Sequence, residues 1–196
     1  RLIVRWTDLD LQLNFVLFIF NMDLVVFEGE GYKVDLLERI PNKFVKDKLI
    51  VIRGKNDDFN RKVLSSKHVD LLLDPHLGNR NDFMHHRNSG LNQVLCKLAR
   101  DNNIAIGFSF SSVLRSKEKG KYIGRMMQNI RLCRKYKVRM VIGSFAESKN
   151  EIRGLNDIQA FFKVIGMTGK EVVMDYVEKR LAFKRRFIRK GVMLAE

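Results

Sequence analysis

Apolar runs recur along this chain at a nearly even spacing, and each is apolar on both of its faces. They are Leu2–Trp6, Asp23–Phe27, Leu49–Arg53, Val69–Leu73, Ile104–Phe110 and Val138–Gly143, with a short last one at Val164–Met167. A strand that faces water on one side alternates apolar and polar residues. A run of Val, Ile and Leu without alternation needs cover on both sides, as in a parallel sheet flanked by helices. The segments between the runs have helix length. Leu91–Arg100 sets Leu91, Val94, Leu95 and Leu98 on one stripe. Lys121–Lys137 does the same with Ile123, Met126, Met127, Ile130, Cys133 and Tyr136, leaving Arg125, Arg131, Arg134 and Lys135 to face out. Repeated strand–helix units predict an α/β fold with a parallel sheet. The rhythm favours closure, and the expectation is an irregular or incomplete TIM-like (β/α) barrel of about seven parallel strands. No G-x-G-x-x-G follows a strand, which argues against a doubly wound dinucleotide-binding sheet. With only Pro41 and Pro75 and no Gly/Ser linker, residues 1–196 are expected to form one domain. A basic helix is expected over about 170–190.

Hydrophobic residues make up 45% of the chain, enough for a packed core and too many for a disordered tail. Asn14–Phe20 is strongly apolar, but it is too short to span a bilayer and has no basic start or cleavage site, so it reads as core. Cys96 and Cys133 occupy apolar helix positions and are expected to be reduced core thiols, as in an intracellular, cytoplasmic protein. The formal charge is +15, from 37 Lys+Arg against 22 Asp+Glu. An excess of this size implies a polyanionic partner, by default nucleic acid, with a membrane surface second.

In an α/β barrel the loops at the C-terminal ends of strands carry function. Three are prominent here. The first, His76–Gly90, holds Arg80, Arg87 and three of the four histidines, His76, His85 and His86. It reads as an RNA-contact loop, a solvated loop or a metal site. Adjacent histidines on one loop rarely converge on an ion, which disfavours the metal. The second, Ser111–Lys121, clusters Arg115, Lys117, Lys119 and Lys121, a phosphate contact or a solvated basic loop. Ser111 and Ser112 would be nucleophiles only beside a base and read more simply as turn or cap residues. The third runs from Gly143-Ser144-Phe145-Ala146-Glu147 to Glu151-Ile152-Arg153-Gly154. Arg153 there contacts a phosphate or pairs with Glu147 or Glu151, and Asp157 reads as the N-cap of a helix over Ile158–Val164. Between Lys179 and Lys190 stand Lys179, Arg180, Lys184, Arg185, Arg186, Arg189 and Lys190 without an acid. Such a run repels itself, and a polyanion would relieve that cost. Phe183 and Phe187 share a face of this helix and would pack on the barrel or stack on a base, packing being the simpler reading.

Several motifs in order resemble the archaeal and eukaryotic 30-kDa protein subunit of ribonuclease P. They are Asp74-Pro75, then Arg87-Asn88-Ser89-Gly90-Leu91-Asn92-Gln93-Val94-Leu95, then Asn103-Ile104-Ala105-Ile106-Gly107-Phe108, then Ser144-Phe145-Ala146-Glu147 and Ile152-Arg153-Gly154-Leu155-Asn156-Asp157, then Gly166-Met167. The resemblance covers about residues 49–175. Leu155 stands where that family has Pro, and Gln93 where it often has His. The resemblance implies an irregular TIM-like barrel that serves an endoribonuclease, a hydrolase of tRNA processing. The resemblance further implies that the subunit is itself non-catalytic, that the RNA removes the 5′ leader of precursor tRNA, and that Mg is held by the RNA with no cofactor on this chain. The implied partners are ribonuclease P RNA, precursor tRNA through the holoenzyme, and a small RRM-like protein subunit in a heterotetramer, with no membrane. The candidate RNA-binding residues are then Arg80, Arg87, Arg115, Lys117, Lys121, Arg153, Arg180, Lys184 and Arg185, with none catalytic and none a metal ligand. The alternative is a metal-dependent phosphoesterase on a similar barrel, which needs His and Asp ligands at several strand ends.

Overall fold

A computed structural model describes residues 23–27, 31–45, 48–78, 80–172, 176–189 and 192–193 of the chain. The expected strand at Leu2–Trp6 and the apolar stretch Asn14–Phe20 lie outside the described residues. The elements are β1 (Leu24–Val25), β2 (Tyr32–Lys33), β3 (Asp35–Leu37), β4 (Ile50–Arg53), α1 (Asp57–Ser65), β5 (Leu71–Leu73), α2 (Gln93–Asp101), β6 (Ala105–Ser109), α3 (Phe110–Arg115), α4 (Lys119–Tyr136), β7 (Met140–Gly143), α5 (Leu155–Val164) and α6 (Tyr176–Arg186). A short antiparallel pair follows, β8 (Phe187–Arg189) with β9 (Val192–Met193).

Strands β3 to β7 form a parallel sheet in chain order, and β1 pairs with β2 in parallel. Only Val34 separates β2 from β3, so the two act as one stave. The Val34 amide donates to the Val25 carbonyl at 2.8 Å. The ring closes between β1 and the residues after β7. Phe145 N donates to Leu24 O at 2.7 Å and Val26 N to Ala146 O at 2.9 Å. Among the described residues the result is a barrel of six parallel staves. The stave at residues 32–37 was not anticipated. The expected strand at Val164–Met167 is instead the end of α5 and a turn, with Gly166 at φ 111°.

The double-faced apolar runs divide as that geometry requires. Ile50, Ile52, Leu72, Ile106, Phe108 and Ile142 face outward into the layer beneath the helices. Leu24, Val34, Val51, Leu71, Leu73, Ala105, Val141 and Phe145 fill the interior. Each Val, Leu, Ile or Phe side chain among these, fully buried, contributes about 1.5–3 kcal/mol. Barrel width grows with stave number, so six staves leave a narrow lumen. Gly107 fits this limit, since a Cβ there would lie 3.0 Å from Leu73 Cδ1. Asn56, Asn92 and Ser109 cap α1, α2 and α3 through their side-chain oxygens. In α2, Leu95, Cys96 and Ala99 are buried, whereas Val94 faces out. Cys96 and Cys133 are both buried free thiols.

The lumen is plugged at the N-terminal end of the strands by α6, which inserts Tyr176, Val177 and Leu181. Asp70, just before β5, fastens it. Its carboxylate accepts from Arg180 Nε at 2.7 Å, Lys184 Nζ at 2.6 Å and the Ile50 amide at 2.8 Å. Lys184 Nζ also donates to Lys48 O at 2.7 Å, and the Tyr176 hydroxyl to Asp70 O at 2.8 Å. Removing one member of a buried ion group strands the others without counter-charge, at a cost of about 3–5 kcal/mol. Asp70→Asn should therefore lower the urea-unfolding free energy by about that amount. Asp70→Leu combined with Arg180→Met and Lys184→Met should recover most of it, because exchanging the whole group for apolar side chains is close to neutral.

Candidate nucleic-acid interface

The first loop is built around Pro75. Gly54 and Gly90 flank it, and a Cβ on Gly90 would come within 1.9 Å of Pro75 O, while Gly90 itself sits at φ 73°. The Asn60 side chain donates to Pro75 O at 3.2 Å, and Asn129 Nδ2 to Ser89 O at 2.9 Å. Arg80 is turned inward. It is 9% exposed, pairs with Asp57 and donates to Lys55 O and Leu77 O. Arg125, expected to face out from α4, is instead buried at 1% exposure and donates to Asp82 Oδ1 at 2.9 Å and Arg80 O at 2.6 Å. Burial pushes the Asp82 carboxyl up, but the Asn88 amide, Arg125 and Arg87 outweigh it and hold it down at about 2. Arg87 is the exposed arginine of this loop, lying over Gly124 and 2.9 Å from Asp82 Oδ2.

The three histidines do not converge. His76 is fully buried edge-on to Tyr122, its ring nitrogens without hydrogen-bond partners, and burial with the nearby Arg125 and Arg80 pushes its pKa down to about 3. His85 and His86 are exposed, with His86 stacked on Phe83. Among the described residues no group of three His, Cys, Asp or Glu side chains could hold a metal ion.

The mouth of the barrel is occupied by its own charges. Arg53 from the end of β4 meets Glu147 at 2.6 Å, and Arg115 from α3 meets Glu147 at 2.8 Å and Glu151 at 3.2 Å. Burial pushes the Glu147 carboxyl up, and the two guanidiniums reverse this and hold it below the ordinary range. Arg153 therefore pairs with neither glutamate. It donates to the carbonyls of Asn150 at 2.9 Å and Ile152 at 2.7 Å and remains exposed. Gly154, not Asp157, is the N-cap of α5, and Asp157 lies in its first turn, where a carboxylate favours the helix dipole.

The serines beneath the mouth are committed to backbone. Ser109 Oγ donates to Ser144 O at 3.1 Å, Ser111 Oγ to Phe145 O at 3.0 Å, and Ser112 Oγ to Ser109 O at 3.0 Å. Asp74 accepts from the Ser109 amide at 2.9 Å, and its other oxygen has no partner. Asp74 at φ 48° and Phe145 at φ 46° hold left-handed backbone at two strand ends. This arrangement fixes loops; it presents no nucleophile–base pair.

The expected RNA contacts therefore separate. Arg87 and Arg153 are exposed on loops that follow strands, and Lys117 is exposed between α3 and α4. Arg115 serves the glutamates, and Lys121 pairs with Glu118 at 3.2 Å. Arg80 is a loop anchor. Arg180 and Lys184 turn inward onto Asp70, away from these loops, while Arg185 is exposed. Phe183 is not packed away: it is 41% exposed, with Arg180 5.4 Å from its ring centre, and the side chain of Phe187 lies outside the described residues. Reading by periodicity missed Arg53, Arg125 and Asp70. The last two are polar residues inside apolar patterns, which is a signal for a buried pair only when the partner is known.

The family described as RNase P subunit p30 matches residues 33–182. The chain is 28% identical over 187 residues to ribonuclease P protein component 3 of Methanosarcina mazei, covering 85% of this chain and 75% of the relative. It is 30% identical over 156 residues to that of Methanosarcina acetivorans, covering 76% and 62%. A chain in the cryo-EM structure of archaeal ribonuclease P with mature tRNA is similar at a TM-score of 0.63 and 26% identity, covering 76% of this chain and 64% of that one. The chain thus spans roughly six tenths to three quarters of the length of these relatives. No described helix is long and apolar enough to cross a membrane.

Burial raises the Asp74 carboxyl to about 7, against an ordinary value of 3.8. The folded protein holds a proton there that the unfolded chain releases, so this group removes stability as pH rises from about 4 to 7. Asp74→Asn abolishes that loss. Urea midpoints of the variant relative to the parent should shift upward steadily across this range and level off above it; a constant difference would refute the assignment.

Proposed function

The chain belongs to the RNase P subunit p30 family, and from that membership we propose that it is a non-catalytic, RNA-binding protein subunit of ribonuclease P. In this reading it supports RNA-catalysed removal of the 5′ leader from precursor tRNA. The observation that carries it is the state of the barrel mouth. The place where a barrel enzyme would keep reactive groups is filled by an Arg53–Glu147–Arg115–Glu151 network, with the serines bonded to backbone. The charge of +15 supplies the attraction to RNA, and the exposed Arg87, Lys117 and Arg153 present part of it beside that mouth. The Mg needed for hydrolysis belongs in this reading to the RNA. The partners are ribonuclease P RNA, precursor tRNA through the holoenzyme, and a small RRM-like protein subunit in a heterotetramer, in the cytoplasm.

Reconstitution tests it. Adding the chain with its RRM-like partner to ribonuclease P RNA should raise precursor-tRNA cleavage at limiting Mg. Affinity for that RNA should fall steeply with salt, by about 0.7–0.9 log units per log unit of salt for each phosphate neutralised. Cleavage by the protein without RNA, or binding no tighter than to random RNA, would overturn the proposal.

A further inference from the structure

A second positive surface lies at the opposite end of the barrel from the loops above. It is a groove of about 450 Å³ between the α4–β7 turn, the segment after α5, and α6, and it is lined by Arg134, Lys137, Arg139, Lys170 and Lys179 with Glu171 as its acid. Glu171 is fully engaged. Its two oxygens accept from Arg134 Nε at 2.8 Å and Nη2 at 2.7 Å, and it also accepts the Thr168 amide at 2.7 Å. Those contacts hold the Glu171 carboxyl down at about 2, first through the Arg134 bond, so it is an anion bound to one arginine at any working pH. Lys137, Arg139 and Lys170 are exposed and make no ion pair among the described residues.

The backbone holds these cations together. Lys137 closes α4 in the left-handed region at φ 56°, with its amide bonded to Arg134 O. Val138 is buried and its amide donates to Cys133 O at 2.9 Å, so exposed Lys137 and Arg139 flank an anchored residue. Tyr176 forms the floor, locked through its hydroxyl to Asp70 O. A smaller hollow of about 170 Å³ continues the groove, sharing Arg139, Tyr176 and Lys179 and ending at the exposed ring of Phe183. The Arg180 guanidinium that backs this ring is itself held by Asp70. A rigid positive track with an aromatic ring at its end has the make-up of surfaces that follow a phosphate backbone and stack a base.

We infer that this basal groove is an RNA-backbone site, with Lys137, Arg139 and Lys170 as its phosphate contacts and Phe183 as a stacking platform. The inference rests on the proposed ribonuclease P role and places a main RNA contact away from the barrel mouth. An acidic protein surface would suit the cations but leaves the exposed ring unexplained.

The test is equilibrium binding of the whole chain to ribonuclease P RNA and to a control RNA of equal length, over a salt series. The groove variant carries Lys137→Ala, Arg139→Ala and Lys170→Ala; the mouth variant carries Arg87→Ala, Lys117→Ala and Arg153→Ala. The groove variant should bind ribonuclease P RNA at least tenfold more weakly, with a salt slope shallower by about 2 units for three lost phosphate contacts. Phe183→Ala should weaken binding while leaving that slope unchanged, which separates stacking from charge. Lys170→Gln alone, on an exposed turn, gives the same sign as the triple variant if that one melts early. Unchanged affinity and slope in the groove variant, with the parent chain still preferring ribonuclease P RNA, overturns this inference and leaves the proposed role standing. Loss of capture of an acidic protein subunit with RNA binding intact overturns it as well. A parent chain that does not distinguish the two RNAs sinks the proposed role and, with it, this site.

Discussion

One carboxylate organises the base of this molecule. Asp70 sits where β4, β5 and α6 meet, and it binds a guanidinium, an ammonium and a backbone amide at once. Without it α6 could not bring two cations against the open end of an apolar barrel. With it, α6 delivers Tyr176, Val177 and Leu181 into the lumen and sets the wall against which the basal groove forms. A buried charge cluster is a weak source of net stability, since desolvation offsets most of its Coulomb gain. Its value is in position: the Ile50 amide holds the carboxylate in place, and α6 must bring both Arg180 and Lys184 to it.

The two ends of the barrel use charge differently. At the mouth, arginines and glutamates from distant segments neutralise one another and leave a rim on which Arg87, Lys117 and Arg153 are exposed. At the base, Asp70 is engaged by α6 and Glu171 by Arg134, and Lys137, Arg139 and Lys170 are exposed and make no ion pair among the described residues. An excess of 15 positive charges is therefore not spread evenly in effect, because pairing decides where it is felt.

The staves β4, β6 and β7 were legible because a strand covered on both sides writes its burial into every residue. The stave at residues 32–37 was not, since Tyr32, Lys33 and Asp35 interrupt its apolar residues and it borrows its regularity from β1 and β4. Helix periodicity located α4 but sent Arg125 outward, and it made Arg180 and Lys184 into surface cations. All three are buried by acids at least 43 residues away in sequence, Asp82 for the first and Asp70 for the others. A local pattern carries no record of a counter-charge so distant. The loop motifs fared better. Gly54 and Gly90 cross Pro75 so closely that a Cβ on either would collide with its backbone, and Pro75 and Gly90 stand within the motifs Asp74-Pro75 and Ser89-Gly90.

Barrel closure also sets an order of events during folding. Stave β1 is sealed only when Phe145 and Ala146 reach it, and Ser144 N bonds the Asp23 carboxylate across a sequence separation of 121 residues. Until then the edges of the sheet are open and the lumen is wet. Contacts of such range must repay a large loop entropy before they stabilise anything, which slows folding relative to a helical bundle of equal size. A ribosome must therefore release the chain beyond Ala146 before β1 and the segment after β7 can meet, and the unsealed intermediate exposes two unpaired strand edges in the interval.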